Sequence, residues 1–144
     1  MSLLHGEYIP CPIVNKQGKV IRTVTRPYVW FMLKKNHQFT KPIGGIIDSG
    51  ADDNLFPAGI CVYLGLKLEA GIKEKITGIG KQTIIGYRHK NIELFFDNGF
   101  HFLTEIVFCD KLEARTILFG GHGFFDKFNR VTFDKKSEII ELEY

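Results

Sequence analysis

The 144 residues, 44% hydrophobic with 13 phenylalanines, amount to one domain's worth of chain with apolar surface for a single core, which excludes a disordered segment. The net charge is +3 and no basic run exceeds Lys34-Lys35 or Lys135-Lys136, which argues against a nucleic-acid-binding stripe. Cys11, Cys61 and Cys109 lack disulfide or zinc-site spacing, no stretch reads as a membrane span, and His5, Glu7 and Pro10 interrupt any signal-peptide core, so a soluble, cytoplasmic protein is expected.

Residues 1–27 are expected to be an N-terminal extension of strands packed on the same domain as residues 28–144. "YVWFMLKK" (28–35) alternates, with Val29, Phe31 and Leu33 on one face. "PIGGIID" (42–48) reads as a short buried strand that ends at Asp48. "PAGICVYLGL" (57–66) predicts a short helix: Pro57 suits the first turn, Ile60 and Leu64 stack at i and i+4, and Gly65 can end it. Residues 72–96 read as two strand-like arms around a Gly-rich tip at Gly78 to Gly80. "DNG" (97–99) is the strongest hairpin signal in the chain. "TILFGGHGFFDKF" (116–128) predicts a strand running into glycines and then a helical turn, and residues 130–144 supply two closing strands. The sum is a mainly β protein with turn signals at barrel-like spacing.

The chemistry centres on "GGIIDSGADDNLFP" (44–57). A carboxylate that follows an apolar run is costly to bury unpaired. Asp-Ser-Gly is also ordinary Asx-turn chemistry, and that explanation stands beside a functional one. The order of features favours function: a buried strand ending in Asp, a tight Ser-Gly-Ala turn, a Gly-tipped hairpin, then an apolar pair followed by Gly.

That order, carried by "IIDSGADD" (46–53), "ITGIG" (76–80) and "ILFGGHGFF" (117–125), resembles the retropepsin-like aspartic proteases, above all their small bacterial members. The resemblance spans residues 28–134; residues 1–27 have no clear counterpart in the minimal retroviral form. It implies a closed acid-protease β-barrel with one or two short helices and an active site at a two-fold dimer interface. Asp48 would be the catalytic carboxylate, Ser49 would cross-link the two active-site loops, and Gly50 would let the substrate backbone lie close. Ala51, Asp52 and Asp53 would line the substrate site, and Gly78, Ile79 and Gly80 would form the flap tip. Only one Asp-Ser-Gly occurs in the chain, so the second carboxylate would come from a second copy. The implied activity is peptide-bond hydrolysis without metal or organic cofactor, with a peptide or protein substrate and neither nucleic acid nor membrane as partner.

One position departs from the family. Where relatives usually carry Arg after the apolar pair and Gly, this chain has Gly121 following Leu118-Phe119-Gly120. The resemblance assigns that Arg to the support of Asp52, so Arg88, Arg115 or Arg130 would have to substitute. A catalytically silent dimeric binding or assembly module is the alternative this departure leaves open. Other chemistries lack their patterns. "GIGKQT" has Lys75 and Gln82 where a phosphate loop needs Gly and Ser/Thr, the five histidines show no metal-ligand spacing, and no Gly-x-Ser-x-Gly elbow occurs.

Overall fold

The computed structural model describes residues 2–78, 80, 82–113 and 116–144. Two long strands, β1 (Leu3–Val14) and β2 (Val20–Lys35), pair antiparallel over Glu7–Val14 and Val20–Tyr28. The Asn15 side chain closes the turn between them by accepting from the Gln17 and Lys19 amides. Alternation in β2 sends Val29, Phe31 and Leu33 into the core at 2% exposure or less and leaves Trp30 half-exposed. There follow β3 (Gln38–Phe39), β4 (Ile43–Ile47) and β5 (Leu55–Pro57), then the short helix α1 (Ala58–Tyr63). β6 (Ile72–Thr77) and β7 (Thr83–Phe95) form a hairpin, and β8 (His101–Cys109) follows the turn at residues 96–100. The chain closes with β9 (Leu118–Phe119), a 3-10 turn at Phe125–Lys127, β10 (Arg130–Asp134) and β11 (Ile139–Glu143).

Hydrogen bonding links the strands in the order β10-β11-β1-β2-β4-β9-β5-β8-β7-β6. β2 also pairs with β7 through Met32–Lys34, so the ladder that leaves β2 through β4 returns to it. The β4–β9 and β5–β8 pairs are parallel. The architecture is mainly β, and the strands foreseen for residues 28–35, 72–96 and 130–144 are in place.

The helix is shorter than the sequence pattern predicts. Pro57 stays extended (ψ 142°) as the last residue of β5, in register with Cys109 of β8, so the first turn begins at Ala58. The "DNG" turn does more than reverse the chain. The Asn98 side chain donates to the Leu3 carbonyl and to the Tyr144 hydroxyl, and Tyr144 stacks on Phe100 at 3.6 Å, so the turn gathers both ends of the chain.

The core is aromatic. Phe31, Phe56, Phe108, Phe119 and Phe124 are fully or almost fully buried, and Phe119 meets Phe31 edge-on at 4.9 Å and stacks on Phe124 at 4.4 Å. Gly45 makes this possible: a Cβ there would lie 2.4 Å from the Phe119 ring, so β4 must be bare where β9 crosses it. The aromatic cluster thereby presses β9 onto β4, and β4 is the strand that leads to Asp48. Among the described residues no helix is long and apolar enough to cross a membrane.

Candidate active site

Ile46 and Ile47 lie in parallel register with Leu118 and Phe119, and the Asp48 amide donates to the Phe119 carbonyl at 3.0 Å. Asp48 is thus the last residue of this segment held by β9. Beyond it the chain turns: the Gly50 amide donates to Asp48 Oδ1 at 2.9 Å and the Ala51 amide to the Asp48 carbonyl at 3.1 Å. The Asx turn is real, but it occupies only one carboxylate oxygen. Oδ2 has no protein partner among the described residues, and Asp48 is partly exposed.

The loop after the turn is pinned from the far side. Gly121 and His122 donate their amides to the carbonyls of Ala51 and Asp52 at 2.9 and 2.8 Å. Asn54, 1% exposed, donates through Nδ2 to Thr104 Oγ1 and the Glu105 carbonyl, while its Oδ1 accepts the Gly120 amide at 3.1 Å. Thr104 Oγ1 in turn donates to the Gly123 carbonyl. Gly120 cannot carry a side chain, because a Cβ would sit 2.4 Å from the Asp53 carbonyl oxygen and 2.7 Å from that of Ala51. Sequence reasoning missed Asn54; its only local signal is an uncharged amide wedged between two aspartates and a buried Leu-Phe-Pro strand.

The Arg question has a structural answer. Arg88, on β7, contacts Asp53 at 3.0 Å, Glu74 of β6 at 2.5 Å and Glu105 of β8 at 3.2 Å, with its side chain only 14% exposed. The partner is Asp53, and not the Asp52 expected from the resemblance. Asp52 is exposed, its carboxylate makes no ion pair among the described residues, and the loop is held there through its main chain. Arg130 lies on β10 opposite Glu143, and Arg115 lies outside the described residues. The Arg88 hydrogen bond holds the Glu74 carboxyl below its ordinary range against the opposing effect of burial. Glu105 is lowered chiefly by its hydrogen bond from His122, with Arg88 and Lys90 adding to it. Arg88 itself is held more firmly charged, first by Glu74.

Above this loop, β6 and β7 pair from Ile72–Arg88 to Thr77–Thr83, and the Gly78 amide donates to the Gln82 carbonyl at the tip. A cleft of about 320 Å³ separates the hairpin from the Asp48 turn. Asp48, Gly50, Ala51, Asp52 and Asp53 form its floor together with Leu55 and Leu118, and Glu74 to Gly78 form its roof. Ser49 faces a second depression, shared with Asp48 and bordered by Tyr8, Pro27 and Phe133. Gly80 is exposed at the tip, and Ile79 lies outside the described residues.

One other pairing invites a chemical explanation, since Cys61 Sγ lies 3.8 Å from His89 Nε2. Burial, with Glu69 adding to it, pushes the thiol up to about 11, and His89 Nε2 also lies 3.0 Å from the Leu68 carbonyl. The thiol therefore stays protonated near neutral pH and is no nucleophile.

No protein-family model matches the sequence, and no curated protein matches it. Among solved structures, a retropepsin-like aspartic protease from Rickettsia conorii superposes with a TM-score of 0.59 at 12% identity, over 99% of both chains. EIAV protease in complex with an inhibitor aligns over 75% of this chain and 88% of its own, at 17% identity and a TM-score of 0.48. The chain has the retropepsin-like fold.

Proposed function

We propose that this protein is an aspartic endopeptidase of retropepsin type, working as a homodimer that brings two Asp48 carboxylates together. The observation that carries the proposal is Asp48 itself. A partly buried strand delivers it to the floor of a cleft roofed by a Gly-tipped hairpin, with one oxygen fixed by the turn and the other without a partner among the described residues. The protease fold at 12% identity is consistent with this chemistry without specifying it.

A single chain supplies one such carboxylate, whereas the reaction needs two. In the proposed dimer a water lies between the two Asp48 side chains across the symmetry axis. The ionised carboxylate takes a proton from the water as it attacks the scissile carbonyl, and the protonated partner donates a hydrogen bond to the carbonyl oxygen. Collapse of the tetrahedral intermediate then returns a proton to the leaving amine. No metal or organic cofactor enters these steps.

The remaining roles follow from placement. Ser49 faces away from the cleft and would bridge to the partner's loop. Gly50 and Ala51 present backbone to the substrate, Asp52 offers an exposed carboxylate, and Asp53, held by Arg88, would contribute through its main chain. Gly78, Ile79 and Gly80 would close over the bound peptide. We read the ladder that returns to β2 as the closed barrel of the protease domain, residues 28–144, with residues 1–27 as its N-terminal extension. Cleavage of an unfolded protein between about pH 3 and 6, inhibited by pepstatin and abolished by Asp48→Asn, is the expected result. A folded dimer that cleaves nothing across that range would leave the binding-module alternative standing.

A further inference from the structure

Roof and floor of the cleft meet on one guanidinium. Arg88 Nε and Nη2 bond the two oxygens of Glu74 at 2.5 and 3.0 Å, Nη2 also reaches Asp53 Oδ1 at 3.0 Å, and Nη1 reaches Glu105 Oε2 at 3.2 Å. Glu74 lies in the roof and Asp53 in the floor, while Arg88 lines neither. β6 is the terminal strand of the sheet and, among the described residues, pairs only with β7. The main-chain ladder carries β6 through β7 to β8, but across the cleft the hairpin meets the Asp53 loop through side chains, in the link Glu74–Arg88–Asp53.

The geometry points to Arg88 as a positioning residue that holds the flap base at working height over the Asp48 loop by tying Glu74 to Asp53. The inference rests on the peptidase proposal for its kinetic consequences, but the tether is a physical object without it. With Arg88 removed, Glu74, Asp53 and Glu105 face one another without their shared cation. Other charges stand nearby: Lys90 at 3.6 Å and His122 at 2.6 Å from Glu105, Asp126 at 3.5 Å from His122, and Asp48, Asp52 and Lys75 along the same cleft. Among the described residues none of these cations forms an ion pair with Glu74 or Asp53, so the roof and floor carboxylates repel and the cleft opens. Substrate binding suffers, while the Asp48 pair, which Arg88 does not touch, keeps its chemistry.

The test compares wild type, Arg88→Met and Glu74→Gln, using the oxidised insulin B chain to find a cut site and a fluorogenic peptide spanning it for kinetics. Arg88→Met should raise KM about tenfold at about pH 6 with kcat per pepstatin-titrated site within about threefold. The KM penalty should shrink to within about twofold near pH 3.5, where Glu74, freed of Arg88, protonates and stops repelling the floor. Glu74→Gln should raise KM in the same direction, and the double variant should be no worse than Arg88→Met alone, because both changes cut one link. A lowered melting temperature or fewer titrated sites with KM unchanged would overturn the inference, as would a KM penalty equal at both pH values. If the wild type cleaves nothing, the peptidase proposal falls and hydrogen exchange decides the tether by itself. Amides of residues 72–77 should then exchange about tenfold faster in Arg88→Met, or in Glu74→Gln should the first fail to fold, with those of α1 unchanged. Equal exchange would overturn it.

Discussion

At the residue scale, the loop that carries Asp48 is held by groups that do no chemistry. Asn54 satisfies the buried Gly120 amide and is itself fixed by Thr104 and Glu105, so all of its bonding takes place out of reach of water. Asn54→Ala should cost about 1–3 kcal/mol by leaving that amide unpaired, read as a shift in the urea midpoint. Asn54→Asp should be worse at neutral pH than in acid, since an oxygen replaces Nδ2 against the Glu105 carbonyl and brings a buried charge. The neighbouring glycines should separate cleanly. Gly120→Ala forces a Cβ to 2.4 Å from the Asp53 carbonyl oxygen and should lower both the melting temperature and cleavage. Gly121→Ala finds nothing nearer than 3.6 Å and should change neither.

At the element scale, the β6–β7 hairpin ends the sheet, and its ionic attachment has a defined pH window. Glu74 ionises below its unfolded value because Arg88 favours the charged form. The folded state therefore binds fewer protons than the unfolded chain between the two values, and stability is lost as pH falls through the lower, folded one. The stability difference between wild type and Glu74→Gln should be fully present above about pH 5 and should vanish in stronger acid, as followed by urea unfolding at successive pH values. An acid-active peptidase would then work with its flap attachment partly released, which couples flap mobility to the pH of the reaction. β4 shows the opposite device, a fixed attachment. Gly45 lets Phe119 lie across it, and the aromatic cluster holds β9 in register with the strand that ends at Asp48.

At the scale of the whole molecule, one chain presents half of the proposed machinery. Sedimentation should show a dimer at micromolar concentration, and activity per chain should fall on dilution as the dimer dissociates. Mixing wild type with an excess of Asp48→Asn chains should extinguish cleavage, because mixed dimers hold a single carboxylate. Full activity in that mixture would mean that one chain suffices. A structure of the dimer should place the two Asp48 carboxyls within about 6 Å, the range over which they can share a proton through water.

What the sequence determined by itself is local. Alternation in residues 28–35, the apolar run ending at Asp48, the glycines at the hairpin tip and the "DNG" turn are short-range patterns, because backbone geometry repeats over a few residues. The resemblance carried by these motifs grouped Asp48 and Gly50 to Asp53 with Gly78, and those residues line one cleft. Pro57 was misplaced by one residue because its pairing partner, Cys109, lies on a distant strand. Asn54 reaches Gly120 across 66 positions, and which of three arginines would serve the Asp48 loop was undecidable along the chain. The register of β7 against β6 and β8 made the choice, setting Arg88 between Glu74 and Glu105 with Asp53 in reach. Long-range pairing of charges and buried amides is a product of strand register, and register exists only once the sheet is assembled.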